Sequence, residues 1–165
     1  MMGSLIGNSI RWSGPGRGAA PPPPPGRYGE DAGRAQAPGT GMRVFVVEDE
    51  ALIAMDLSER LTALGYEVCG TATRGETALQ SIAQVRPDLV LMDIKLAGSM
   101  DGVEVAQQLR ERYDVPVVFL SAFVDSQLIA RATRTNCYGY LVKPFEEREL
   151  HATLQVALER FRALR

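Results

Sequence analysis

Residues 43–50 read RVFVVEDE, four apolar side chains from Val44 to Val47 followed by three consecutive acids, Glu48, Asp49 and Glu50. A short unbroken apolar run is the pattern of a strand covered on both faces, as in a parallel sheet. Three carboxylates at the end of such a strand repel one another, so that end must face something that offsets their charge.

The same kind of run recurs along the chain, at 66–71 (YEVCGT), 88–92 (DLVLM), 116–120 (PVVFL) and 139–142 (GYLV). Helical patterns lie between and after these runs, at about 50–64, 75–85, 102–112, 125–134 and 146–162. In the first helix Leu52, Met55, Leu57, Leu61 and Leu64 sketch an apolar face, and Gly65 follows as its C′ stop. Pro87 and Pro116 punctuate the approach to the third and fourth strands. Five strand-helix repeats predict an α/β fold, a doubly wound five-stranded parallel sheet of flavodoxin-like order 2-1-3-4-5. Function in that architecture collects outside the carboxyl ends of the strands.

Residues 1–42 have a different character, holding 10 of the 16 Gly and 7 of the 10 Pro, with PPPPP at 21–25. Such a segment cannot bury enough apolar surface to offset its ordering entropy and is expected to be disordered, leaving 43–162 as the folded domain. The proline run reads as a spacer ahead of an SH3-type ligand, and GPGRGA (14–19) follows no strand, so it is no dinucleotide fingerprint. Translation from Met42, directly before the first strand, is an alternative start. The 1–42 segment carries four Arg against two acids, which leaves 43–165 with 14 basic and 18 acidic residues. An acidic domain does not hold a phosphate backbone, so no nucleic-acid partner is expected. Cys69 and Cys137 match neither a metal spacing nor a disulfide framework. With no apolar run near the ~20 residues of a membrane span, no membrane partner and a cytoplasmic location are expected.

Four of the five strands place a polar or charged residue at the carboxyl edge: Glu48 and Asp49 after the first, Asp93 after the third, Ser121 after the fourth and Lys143 after the fifth. Carboxylates meeting there call for a hard divalent cation, and Mg²⁺ suits a few carboxylate and carbonyl oxygens with retained water and phosphate. One of them can act as a nucleophile toward a phosphoryl group, giving an aspartyl phosphate. The cation of Lys143 and the hydroxyl of Ser121 would stabilise charge on the transferred group. Lysine is scarce here, only Lys95 and Lys143 against 16 Arg, which suggests that a compact point charge is wanted beside the sheet edge.

In order and spacing these residues resemble the receiver domain of two-component response regulators over about 43–162. The intervals are 44 residues from Asp49 to Asp93, 28 to Ser121 and 22 to Lys143. The resemblance implies a phosphoacceptor at Asp93, loaded from a phosphohistidine on a sensor histidine kinase or a histidine phosphotransfer protein in a two-component system or phosphorelay. It implies Mg²⁺ held by Asp49, Asp93 and the backbone carbonyl of Lys95, with Glu48 acting through a water. Ser121 would swing toward the phosphate and Tyr140, three residues before Lys143, would turn inward behind it. That switch would reshape the face of helix four, strand five and helix five for a downstream protein partner. The chain ends soon after the fifth helix, so output through protein contacts is expected. Such a domain is not an enzyme in the usual sense and catalyses only its own phosphorylation and dephosphorylation. The loop IKLAGSMDG (94–102) is one residue longer than the common receiver form and lacks its usual Pro, while Lys95 and Phe123 stand at positions that tune phosphoryl lifetime.

Taken singly, each residue has a plainer reading: Asp93 a turn cap, Ser121 a small strand-end residue, Tyr140 core, Glu50 an acid suited to the first turn of a helix, and His151 a half-exposed helical residue. Two competing functions remain. A receiver-like interaction module that is never phosphorylated would keep the fold without the chemistry. A phosphatase with an Asp nucleophile would need a second Asp two residues after the first, where this chain has Lys95.

Overall fold

Successive side chains of a strand point to opposite faces, so an unbroken apolar strand needs a core on each side. A computed structural model describes residues 41–122, 126–135 and 137–164 of this chain. The expected extension up to residue 40, and Phe123, lie outside the described residues. The elements alternate as β1 (Arg43–Val47), α1 (Ala51–Ala63), β2 (Glu67–Ala72), α2 (Gly75–Val85), β3 (Leu89–Asp93), α3 (Gly102–Arg112), β4 (Val117–Ser121), α4 (Ser126–Ala132), β5 (Cys137–Val142) and α5 (Glu147–Ala163). The strands form one parallel sheet in the order β2-β1-β3-β4-β5, as the sequence pattern predicts.

The two cores divide the strand residues by parity. Phe45, Val47, Val90, Met92, Val117 and Phe119 pack with Ile82 of α2, Leu109 of α3 and Ala132 of α4. Val44, Val46, Leu89, Leu91, Val118 and Leu120 pack on the other face with Leu57 and Leu61 of α1 and Leu150, Leu154 and Leu158 of α5. Fully burying one such side chain contributes roughly 1.5–3 kcal/mol, so the central strands are the most firmly held part of the domain. Cys69 and Cys137 are half-buried free thiols, and burial pushes both thiol pKa values up.

Several boundaries move from their sequence positions for reasons of pairing. β3 and β4 each end one residue later than the apolar run, because Asp93 pairs with Leu120 and Ser121 with Val142. Asp93 and Ser121 are therefore the last residues of rigid strands, not the first of loops. β5 begins earlier than 139, at Cys137, which pairs with Val117 across a register irregularity between Val117 and Val118. β2 begins at Glu67, whose amide bonds to the Met42 carbonyl at 2.8 Å. Tyr66 precedes it, buried, with its hydroxyl 3.3 Å from His151 Nδ1 on α5. His151 is half-buried, in keeping with its plainer reading.

The apolar face expected for α1 is partly wrong. The side chains turned to the sheet are Ala54, Leu57 and Leu61, while Leu52 and Met55 stand 79% and 59% exposed. Positions 54, 57 and 61 follow helical spacing and form the inward stripe, which places 52 and 55 to its outer side. Gly65 is the C′ stop as expected, at φ +96°. Glu50 is the N-cap residue of α1, just before the first turn.

Substitution of two leucines separates the faces of α1. Leu57→Ala is expected to lower unfolding free energy by about 2–5 kcal/mol, and Leu52→Ala to change it by no more than about 0.5 kcal/mol. Urea unfolding followed by circular dichroism measures both; equal losses would contradict the assigned faces.

Candidate functional site

The acids after β1 take up different positions because the chain leaves the sheet at Glu48 and bends at Asp49 into α1. Glu48 turns inward and is fully buried, whereas Asp49 and Glu50 are exposed. The Glu48 amide continues the sheet by bonding to the Ala72 carbonyl at 3.0 Å, and Glu48 Oε1 accepts from the Glu50 amide at 3.3 Å. Asp93 at the end of β3 is 7% exposed. Its Oδ1 accepts the Lys95 amide at 3.2 Å.

Lys143 joins the two buried carboxylates. Its Nζ donates to Glu48 Oε2 and to Asp93 Oδ2, each at 2.9 Å. The lysine is itself positioned by its backbone amide, which donates to the Ser121 carbonyl at 2.7 Å and so extends the β4–β5 pairing past the end of β5. A cis peptide joins Lys143 to Pro144.

Electrostatics follow from this packing. Burial raises the Glu48 carboxyl pKa from 4.5 to about 7, helped by the neighbouring Asp93 and opposed by Lys143. Burial pulls the Lys143 ammonium down, yet the bonds to Glu48 and Asp93 outweigh it and raise its pKa. The site is thus an ammonium held between two carboxylates that repel each other, with a third acid at the mouth. One carboxylate oxygen from each of Glu48, Asp49 and Asp93 lies within 4.8 Å of the others. An all-oxygen donor set suits a hard cation and gives no soft ligand for a transition metal.

A cleft of about 220 Å³ opens over this group, lined by Asp49, Glu50, Asp93, Lys95, Ser121, Ala122 and Lys143. Glu50, separated from the chemistry in the sequence reading, therefore shares the wall of the site. Ser121 is buried at its edge, and Tyr140 is half-buried in β5, packed against the core that holds Phe119 and Ala132. The Lys95 side chain is exposed.

Composition and spacing do not single out Gly102. It opens α3 directly over the phosphoacceptor candidate: a Cβ there would lie 2.2 Å from the Asp93 carbonyl oxygen, and its amide bonds to the Ile94 carbonyl at 2.7 Å. Asp101 before it caps α3 through a reciprocal bond pair with Glu104, Oδ1 accepting at 2.9 Å and the amide donating at 2.8 Å. The Asp-Gly pair after an apolar strand was the available signal.

With this geometry in place, the comparisons with known proteins decide the family. The profile of the response regulator receiver domain matches residues 44–155. The chain belongs to the response regulator receiver family. This receiver is 40% identical over 122 residues to the transcriptional regulatory protein PdtaR of Mycobacterium tuberculosis, covering 74% of this chain and 59% of that one. It is 34% identical over 130 residues to the phyllosphere-induced regulator PhyR of Methylorubrum extorquens, covering 78% and 48% respectively. The match thus spans about half to three-fifths of these curated relatives. Among solved structures, the signal receiver domain of a modulated diguanylate cyclase from Desulfovibrio desulfuricans superposes with a TM-score of 0.70 at 36% identity, over 74% of this receiver and 98% of that chain. The chain is therefore a receiver domain of two-component signalling, with the flavodoxin-like fold of its family.

The Lys143 bridge has a measurable energetic signature. Lys143→Met removes the counter-charge shared by Glu48 and Asp93 and is expected to cost about 1–3 kcal/mol of stability in metal-free buffer at a pH above the Glu48 pKa of about 7, where both carboxylates are ionised in the parent chain. Adding Glu48→Gln to that variant is expected to recover part of the loss, and a double-mutant cycle by denaturant unfolding reads the coupling. Strict additivity of the two substitutions would count against the bridge.

Proposed function

We propose that this receiver accepts a phosphoryl group on Asp93 from a phosphohistidine of a sensor histidine kinase or a histidine phosphotransfer protein. The observation that carries this reading is the placement of Asp93 at the floor of an open cleft, with Lys143 Nζ on one carboxylate oxygen and the Lys95 amide on the other. In the transfer, an Asp93 oxygen forms the O–P bond as the N–P bond of the donor breaks, and the leaving imidazole nitrogen keeps the electron pair. Lys143 exchanges part of its contact with Asp93 for the incoming phosphoryl oxygens, and the Ser121 hydroxyl donates to another.

Asp49, Asp93 and the Lys95 carbonyl would hold Mg²⁺, with Glu48 reaching it through a water, and the residues fit: the carboxylate oxygens already cluster and Asp49 opens to solvent. When bound, the ion neutralises charge on the carboxylates and the phosphoryl oxygens. Burial of Glu48 and its bond to Lys143 favour a supporting role over direct ligation.

The output follows from the same residues. Ser121 drawn toward the phosphoryl group leaves space behind it, and Tyr140, half-buried on the neighbouring strand, turns inward to fill it. The face of α4, β5 and α5 then presents a different surface to a downstream protein. The chain acts as a phosphoacceptor that catalyses only its own phosphorylation and dephosphorylation. Lys95 at the second position after Asp93 argues against a phosphatase, which would need an acid there. A cytoplasmic setting suits this role, and among the described residues no helix is long and apolar enough to cross a membrane.

Incubation with Mg²⁺ and acetyl phosphate is expected to add one base-labile phosphoryl group by intact mass. Asp93→Asn or chelation of the metal is expected to abolish the gain. Undiminished labelling of Asp93→Asn would rule out the assigned acceptor, and a wild-type chain that never gains the mass would mark an unphosphorylated interaction module.

A further inference from the structure

The long segment between β3 and α3 does not hang free over the site. After Lys95 it crosses to the start of α2, is fastened there, and returns to the cap of α3. Ala97 forms an isolated parallel bridge with Arg74, the residue before α2. Ser99 Oγ donates to Glu76 Oε2 at 2.6 Å. Gly98, at φ +96°, lies so close to this pair that a Cβ would stand 3.1 Å from Arg74 Nη2 and 3.2 Å from Glu76 Oε1. Gly75 at the first position of α2 meets the segment from below, where a Cβ would stand 3.1 Å from the Met100 Cβ. None of these residues lines the cleft over Asp93.

Glu76 is suited to hold the segment. It occupies the second position of α2, where the helix dipole favours an anion. The Ser99 hydroxyl, with Arg74 nearby, keeps its carboxyl below the usual carboxylate range, so it remains an ionised acceptor. The bond lies at the surface, where solvent screens its energy, so its contribution is to fix geometry more than to add stability. Beyond Ser99 the segment is fixed again, since Asp101 caps α3 and its Oδ2 accepts from Arg131 Nη2 of α4 at 3.1 Å. Only Leu96 to Met100 lie between the Lys95–Asp93 contact and that cap, and the ties to α2 fall within this span.

We propose that Glu76 and Ser99 are positioning residues for the phosphoacceptor loop: their hydrogen bond sets the course of residues 95–99 and thereby where the Lys95 peptide stands against Asp93. The inference rests on the proposed role of Asp93 and Lys95, and assigns control of that site to a contact on a different helix.

The test compares the full chain with Ser99→Ala, Glu76→Ala, the double variant and Ser99→Thr, which keeps the hydroxyl. Mg²⁺ titration followed at the Asp93 and Lys95 amides by NMR reads the binding equilibrium without phosphorylation; intact mass with acetyl phosphate reads the rate. Both single alanine variants are expected to weaken Mg²⁺ binding and slow phosphorylation by about twofold to fivefold, less than the loss of a group bonded directly to a ligand. The double variant is expected to fall no further than either single one, Ser99→Thr to restore both readouts, and the unfolding midpoint to stay near that of the unaltered chain. Alanine variants that bind Mg²⁺ and react like the parent overturn the proposal. So does a Ser99→Thr variant as impaired as Ser99→Ala. A parent chain that neither binds Mg²⁺ nor gains a phosphoryl group would instead defeat the reading of Asp93, and this proposal with it.

Discussion

The ammonium of Lys143, shared between Glu48 and Asp93, is the contact on which the rest of the site depends. It draws together the ends of β1 and β3 with the segment after β5, which lies two strands further along the sheet. Such a meeting requires every intervening register to be correct, since a slip of one residue would turn each side chain to the opposite face. The observed register sets Val44 against Leu89, Asp93 against Leu120 and Ser121 against Val142, and packs the large apolar residues of β1, β3 and β4 into a core on each face. Core packing and site geometry are therefore two aspects of a single constraint.

The acids that close β1 become intelligible on the same ground. A buried carboxylate is costly unless paired, and Glu48 is held where burial, Asp93 and Lys143 act on it together. Asp49, one residue on, reaches solvent because the chain has left the sheet there and bends toward α1. The outcome is a site with one acid locked inside, one at the floor and one at the mouth, balanced by a single lysine. Arginine, plentiful elsewhere in the chain, would bring a broad planar fork to a place where two oxygens share one point charge.

Much of this was legible beforehand because it rests on patterns with a fixed period. Apolar runs and turn residues conveyed the five strands, their order and the edge at which Glu48, Asp49, Asp93, Ser121 and Lys143 gather. What the sequence obscured was set by contacts between distant elements. Leu52 and Met55 look like core by hydropathy, but Ala54 takes the inward position, and a small residue is a weak signal. The course of residues 95–99 depends on Arg74 and Glu76, which no local spacing connects to that loop. Glu50 does stand at the start of α1, but its place on the cleft wall follows from how the β1–α1 turn bends, which no local pattern shows.

The sheet also works as a partition. A side chain on the α1 and α5 face has its neighbours there, and one on the α2, α3 and α4 face has a separate set, with the strand backbones as the common wall. Substitutions on opposite faces should therefore be nearly independent in their effect on stability, whereas those within one face must compensate each other. The carboxyl edge is the exception, because Lys143 ties Glu48 to Asp93 by its ammonium and β5 to Ser121 by its amide, so a change to one of these residues is felt by the others.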